Sequence, residues 1–288
     1  MSDMFKVYQN FSGLYDELVN HEDYENNLCK FLNNNIQWEN KVVGEFGIGT
    51  GRVTKTYIDK VQKVFAYDNA QHMIDKAKQN LSEWADKIEY AVSDNKQISA
   101  LENKFDIIIE GWSFGHLVVQ TNEERNQTIQ MLIDETTKRA ATVIFIETLG
   151  TNVASPNPPG EKLAQFYHAL TDNGFKEHII QTDYKFTSHE EAARIMGGFF
   201  GDSMKNDIIQ RKLKIIKEYT GIWIYKGDEN EQILVRKKQR PQSSQQAMNR
   251  IKDKLCQQTK KANNKLLELY FCIFFRICYN ESSEEEEV

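Results

Sequence analysis

The sequence predicts an α/β fold built on a mostly parallel sheet flanked by helices. Three observations predict it. An apolar run beginning at Val42 reaches Glu45 and then passes through Gly47, Gly49 and Gly51. A second apolar run, Val64 to Tyr67, closes on Asp68, seventeen residues after Gly51. Strand-like and helix-like segments then alternate, which implies right-handed crossovers between parallel strands.

The elements follow in order. Residues 5–35 read as helical, with Phe11, Leu14, Tyr15, Leu18 and Val19, then Leu28, Phe31 and Leu32, at helical spacing. Residues 41–46 form a buried strand. Residues 52–60 are expected as a helix, with Val53, Tyr57 and Ile58 inward. Residues 64–67 are the second strand and 69–81 a helix carrying Met73, Ala77 and Leu81 on one face. Residues 87–92 are the third strand. The run at 106–109 is continuously β-branched, as expected of a strand covered on both faces. A helix over 123–139 leads to a fifth strand, 141–146, ending at Glu147. Beyond it, Ser155 to Gly160 is a loop, 162–172 a helix and 175–186 a loosely alternating strand. Residues 188–217 read as an inserted helical segment opened by a capping box, Ser188-His189-Glu190-Glu191. The strand at 221–225 follows.

The glycines describe a ligand. Alternate glycines let main chain approach a molecule closely, and an acidic residue ending the next strand suits a pair of ribose hydroxyls. A nucleoside-bearing cofactor at the carboxyl ends of adjacent strands is the expectation. The dinucleotide fingerprint G-x-G-x-x-G places its third glycine at position 52, where Arg52 stands. A pyrophosphate also disfavours a nearby carboxylate such as Glu45, whereas a ligand with an ammonium and a sulfonium tolerates one. No Gly-Lys-Ser/Thr follows, so the phosphate-binding loop of nucleotide hydrolases is excluded.

With these motifs in place the chain resembles the class I S-adenosylmethionine-dependent methyltransferases. Val43 to Gly51 is similar to their first motif and Asp68 to their ribose-binding acid. Ala91-Val92-Ser93-Asp94-Asn95 is similar to the adenine-edge motif, and Phe105 to Trp112 to the fourth strand and its following motif. The resemblance spans residues 5–227. It implies a Rossmann-like, seven-stranded, mostly parallel sheet with an antiparallel last strand. It also implies S-adenosylmethionine as cofactor, held by Glu45, Gly47, Gly49, Gly51, Asp68, Asp94, Asn95 and Glu110. Tyr15 lies in helices whose counterparts fold over the cofactor; a core aromatic is the other reading. Likewise Asp68 could cap the helix from Asn69, and Asp94 could serve a simple turn.

Methyl transfer is an in-line displacement that draws mainly on positioning and desolvation. A base is needed only for a protonated nucleophile. His116 and Glu110 are the catalytic candidates, with Trp112, Ser113 and Glu147 nearby; a loop histidine can equally be structural. Asn157-Pro158-Pro159 lies after the fifth strand rather than the fourth and lacks the aromatic that follows in adenine-N6 and glutamine methyltransferases. The acceptor is expected to be a small molecule enclosed by the helical cap, 5–35, and the insertion, 187–217. A protein or peptide acceptor, and a cofactor-binding regulatory module without turnover, are the rivals; a nicotinamide oxidoreductase is more distant.

The chain has 288 residues and a net charge of −6 from 36 basic and 42 acidic side chains, so no general attraction to nucleic acid is expected. Cys29, Cys256, Cys272 and Cys278 form no C-x-x-C pair, so neither a metal site nor a disulfide framework is indicated. A reducing, cytoplasmic setting and no signal core or membrane anchor are expected. The methyltransferase domain is expected over 1–227. Residues 228–288 read as a Gln/Lys-rich, partly disordered extension ending in an acidic tail.

Overall fold

A computed structural model describes residues 12–122 and 124–227 of the chain. Residues 5–11 of the expected cap and the 228–288 extension lie outside the described residues.

Seven strands form one sheet: β1 (Val42–Phe46), β2 (Lys63–Asp68), β3 (Ile88–Val92), β4 (Ile107–Gly111), β5 (Thr142–Thr151), β6 (Lys176–Gln181) and β9 (Glu218–Lys226), in the order β3-β2-β1-β4-β5-β9-β6. The first five run parallel, and β9 is antiparallel to both β5 and β6. This is the predicted mixed sheet with its reversed last strand. A two-stranded ladder, β7 (Tyr184–Lys185) with β8 (Ile215–Ile216), was not foreseen in the alternation over 175–186.

The side-chain period of two sorts the strands onto two cores. Val43, Ile107, Ile109, Ile144 and Ile146 face one layer, completed by α2 (Asn27–Asn35) and α3 (Gln71–Asn80). Phe46, Ile108, Val143 and Phe145 face the other, completed by α4 (Phe114–Gln120), α5 (Arg125–Arg139) and α6 (Glu161–Asp172). A third cluster packs Leu18 of α1 (Ser12–His21) against Ile195, Met196 and Phe199 of α7 (His189–Phe200) and Ile208 of α8 (Asp202–Arg211).

Three expected helices differ in form. The cap is two helices, because Asp23 and Asn26 adopt left-handed backbone between them and the Asp23 carboxylate accepts the N–H groups of Asn27 and Leu28. Residues 52–60 do not form an α-helix; only a 3-10 turn, Thr54–Thr56, is present. Val53, Tyr57 and Ile58 are still buried. The stretch is β-branched, which disfavours helix, and the hydroxyls of Thr54 and Tyr57 are drawn onto Glu45 instead. The insertion contains α7 and α8 and then returns as β8. Its start is capped as expected: Ser188 Oγ accepts the Glu191 N–H at 3.1 Å, and the Glu191 carboxylate accepts from Thr187 N–H at 2.8 Å.

Candidate active site

The glycine turn sits at the end of β1. Gly47 has φ +72°, and a Cβ there would lie 2.2 Å from Cβ of Ser113. Only glycine permits both the left-handed backbone and this approach of the chain that follows β4. The turn is tied to β2 from both sides. Gly47 and Ile48 donate their N–H groups to the Tyr67 carbonyl at 2.8 and 3.0 Å. Asp68 Oδ2 accepts the Gly49 N–H at 2.9 Å, and Oδ1 accepts the Ala70 N–H at 2.9 Å. Burial raises the Asp68 carboxyl above its ordinary value, and these amides pull against the rise.

Beyond the strand ends lies a cavity of about 470 Å³. Its wall includes Tyr15, Gly47, Gly49, Asp68, Asp94 and Asn95, six of the residues read as cofactor contacts, and also His116. Asp94 Oδ1 accepts the Lys96 N–H at 2.9 Å, so its side chain also caps a turn. Asn95 Nδ2 donates to Ser113 Oγ at 2.7 Å, joining the third strand's loop to the fourth's.

Three expected contacts stand outside this wall. Glu45 is 1% exposed and shares the Val43 side of β1, where Thr54 Oγ1 donates to it at 2.8 Å and Tyr57 hydroxyl donates as well. Burial pushes its carboxyl up to about 7. Gly51 turns the chain under Leu81, whose Cδ1 would lie 2.6 Å from an added Cβ. Glu110 is fully buried, and its Oε2 accepts the N–H groups of Ser113 and Phe114, both at 3.1 Å. It shapes the turn after β4 and does not reach the cavity.

That turn delivers the site's aromatic and its histidine. Trp112 occupies the left-handed region at φ +53°, an uncommon conformation for a bulky residue. His116 lies in the first turn of α4, not in a loop as expected. Two buried carboxylates hold the start of this helix: Glu110, and Glu147, whose Oε1 accepts the Gly115 N–H at 2.6 Å. Burial raises both carboxyls, and the Glu110 charge adds to the effect on Glu147. His116 is half-buried, and desolvation lowers its imidazole to about 4. It is therefore uncharged near neutrality. Phe114, beside them, is wholly in the core.

A second, smaller cavity of about 110 Å³ adjoins these residues. Leu18 and Val19 of α1 and Phe199 and Phe200 of α7 supply apolar walls. Arg52 Nη1 lies 2.7 Å from Glu22 Oε2, and the Arg52 guanidinium stacks 4.1 Å over the Trp112 ring. Tyr184 donates its hydroxyl to the same Glu22 oxygen at 3.1 Å. Thr148 Oγ1 donates to Glu218 Oε1 at 2.8 Å. Tyr15, Trp112 and His116 line both cavities.

Sequence reasoning used Arg52 only against the dinucleotide fingerprint and did not single out Glu22, Tyr184 or Glu218. One signal was present for Glu218. It opens a strand that is otherwise aromatic and β-branched, where a carboxylate needs a reason to be buried.

No group of three or more His, Cys, Asp or Glu among the described residues is arranged to hold a metal ion. No helix among them is long and apolar enough to cross a membrane.

Known proteins share this arrangement. Residues 43–134 match the family model of a methyltransferase domain. An uncharacterised methyltransferase of Geobacillus sp. strain WCH70 is 25% identical over 183 residues, 62% of this chain and 83% of that protein. Another, of Oceanobacillus iheyensis, is 27% identical over 188 residues, 61% of this chain and 83% of that one. Among solved structures, the (4+2)-cyclase SpnF has a TM-score of 0.51 at 13% identity, over 77% of this chain and 95% of its own, which is a likeness of fold alone. The strand order, the glycine turn and the acidic end of β2 all accord with the methyltransferase domain that residues 43–134 match.

Proposed function

We propose that the enzyme holds S-adenosylmethionine in the larger cavity and a small-molecule acceptor in the smaller one, and moves the methyl group between them. The observation that carries this reading is the shared wall: Tyr15, Trp112 and His116 belong to both cavities.

The residues present fit such a donor. Each Asp68 oxygen accepts one backbone amide and keeps a lone pair for a ribose hydroxyl. Main chain at Gly47 and Gly49 borders the same space without side chains. Asp94 and Asn95 stand at the β3 end, where an adenine edge is expected. The rings of Tyr15 and Trp112 suit a sulfonium by cation–π attraction. When bound, the donor supplies a methyl group activated by its positive sulfur.

The chain's own side chains do the rest. Trp112, held by its strained backbone, and Tyr15 separate the two spaces and exclude water from the boundary. His116, uncharged near neutrality, can accept a proton from an acceptor that arrives protonated. An acceptor that is already neutral needs positioning only. The second cavity's size, between α1 and the 187–217 insertion, favours a small molecule over a peptide.

A fold does not fix a reaction, and the likeness to a cyclase makes the test concrete. Cell extract is incubated with the protein and methyl-labelled S-adenosylmethionine, and mass spectrometry scores which molecules gain label. Calorimetry measures uptake of the donor and of S-adenosylhomocysteine. Label on a low-molecular-mass compound, with donor binding weakened by Asp68→Ala, is the expected result. Absence of binding to either nucleoside would refute the reading.

A further inference from the structure

We propose that the acceptor carries a protonated amino group, which Glu218 receives in the smaller cavity. The inference rests on the two-cavity reading above and names the chemistry of its second ligand.

The hydrogen-bonding groups of this cavity are nearly all committed to one another. Arg52 is engaged by Glu22 and stacked on Trp112. Glu22 Oε2 also takes the Tyr184 hydroxyl, and Glu218 Oε1 takes the Thr148 hydroxyl. Two buried atoms lack a well-aligned hydrogen bond: Arg52 Nη1, which is held 2.7 Å from Glu22 by charge, and Glu218 Oε2. Glu218 is 3% exposed and lines the cavity, and the Thr151 side chain is close enough to lower its carboxyl without giving Oε2 a well-aligned donor. A buried carboxylate oxygen without a donor is costly, so this position calls for a donating group.

Charge selects the kind of donor. The cavity holds two carboxylates, Glu22 and Glu218, and one guanidinium. Arg52 and Glu22 balance each other; burial pushes the Glu218 carboxyl up to about 8, so it is protonated near neutrality by itself and takes up its negative charge when a cation docks beside it. Phe199, Phe200 and Trp112 line the same space, and the Trp112 ring already holds one cation, the Arg52 guanidinium. An ammonium group on a compact apolar body satisfies the oxygen without a well-aligned donor and returns the Glu218 carboxyl to its charged form beside apolar, aromatic walls. Burial raises the Glu218 carboxyl well above its ordinary range, and the Glu22 charge adds to it; Thr151, Thr148 and Arg52 oppose the rise. A bound ammonium supplies the positive charge that burial denies it.

Glu218 is placed where a strand irregularity brings it inward. The β5–β9 register shifts between Thr148 and Thr151, and Glu218 pairs with Thr151 at the far side of that shift. Both threonines line the cavity. The carboxylate is thus fixed by the sheet, not by the mobile end of a long surface side chain.

The test uses the full chain saturated with S-adenosylhomocysteine. It is titrated by calorimetry with three probes of similar size: phenethylamine, 2-phenylethanol and phenylacetate. Phenethylammonium is expected to bind about tenfold or more tightly than the alcohol, as a charge-assisted hydrogen bond does. Phenylacetate is expected to bind most weakly. Glu218→Gln is expected to lower amine affinity about tenfold while its affinity for S-adenosylhomocysteine, which also reports folding, stays unchanged. Tighter binding of phenylacetate would make Arg52 the anchor and overturn the proposal. So would equal affinity for amine and alcohol, absence of amine binding, or an unchanged amine affinity in Glu218→Gln. Should that variant not fold, the three-probe ranking on the unaltered chain decides alone. Failure to bind S-adenosylhomocysteine counts against the methyl-transfer reading, and the amine titration on the ligand-free chain still decides the role of Glu218.

Discussion

Asp68 Oδ2 accepts the backbone N–H of Gly49 at 2.9 Å, so the end of the second strand grips the turn that leaves the first. The same carboxylate borders the larger cavity. Its replacement has two consequences. Asp68→Ala loses both amide contacts and is expected to destabilise the fold by about 1–2 kcal/mol. It is also expected to weaken S-adenosylhomocysteine binding at least ~tenfold. Calorimetry and denaturant melts of the same sample separate the effects; unchanged nucleoside affinity would remove Asp68 from the binding site.

Gly47→Ala is expected to be among the most damaging single-methyl additions in the chain. The new Cβ meets Ser113 at 2.2 Å on a left-handed backbone. Strain and overlap together are expected to cost about 3 kcal/mol. Gly160→Ala is the control, since it has φ +118° but nothing within 4 Å of an added Cβ. Its φ +118° and ψ 159° lie in a glycine-only region, so backbone strain alone is expected to cost about 1–3 kcal/mol, less than at Gly47 where overlap with Ser113 adds to it. Similar losses in the two variants would show that the loop after β4 gives way at Ser113.

Glu45 predicts a specific dependence of stability on pH. Burial pushes its carboxyl up to about 7 when folded, against an ordinary value of 4.5. The folded protein therefore binds the proton more tightly than the unfolded chain does. Stability from this group is fully present below about pH 4.5 and is lost as pH rises toward 7 and above. His116, lowered to about 4, acts in the opposite sense below pH 6.5. Comparison with Glu45→Gln cancels the histidine contribution. Between pH 5 and pH 8 the unaltered chain is expected to lose roughly 1–3 kcal/mol more than the variant, measured by urea melts at each pH. Parallel curves would mean that Glu45 does not titrate in this range.

His116 bears on the chemical step. On an acceptor found by label transfer, His116→Ala is expected to lower kcat by about 10²–10⁴ if a proton must be removed. S-adenosylhomocysteine affinity is expected to stay within about threefold, since the other walls of the cavity remain. A preserved kcat would identify the acceptor as one that arrives neutral.

Most of the sheet was legible in the sequence. Its buried strands are short apolar or β-branched runs, and β4 in particular, Ile107–Ile109, has no other reading. The link from the glycines to Asp68 was legible because it depends on spacing between consecutive elements. Glu45 stands outside the wall of the larger cavity for a reason the same strand contains. It shares parity with Val43, so its side chain points to the Thr54–Tyr57 side and not past the strand end. Glu110 also stands outside that wall; in sequence, a carboxylate at a strand end looks identical whether it meets a ligand or two main-chain amides. The second cavity left almost no local trace. Glu22, Arg52, Tyr184 and Glu218 are brought together by packing between α1, the glycine turn and the far end of the chain.

The helical insertion departs and returns through a narrow neck, with Tyr184 opposite Ile216 and Lys185 opposite Ile215. The sheet register is set on the other side of that neck, where β9 lies between β5 and β6. The hairpin of α7 and α8 thus hangs on that neck as its only chain connection, and it meets the wall of the larger cavity at Tyr15, whose ring lies 6.3 Å from that of Phe199.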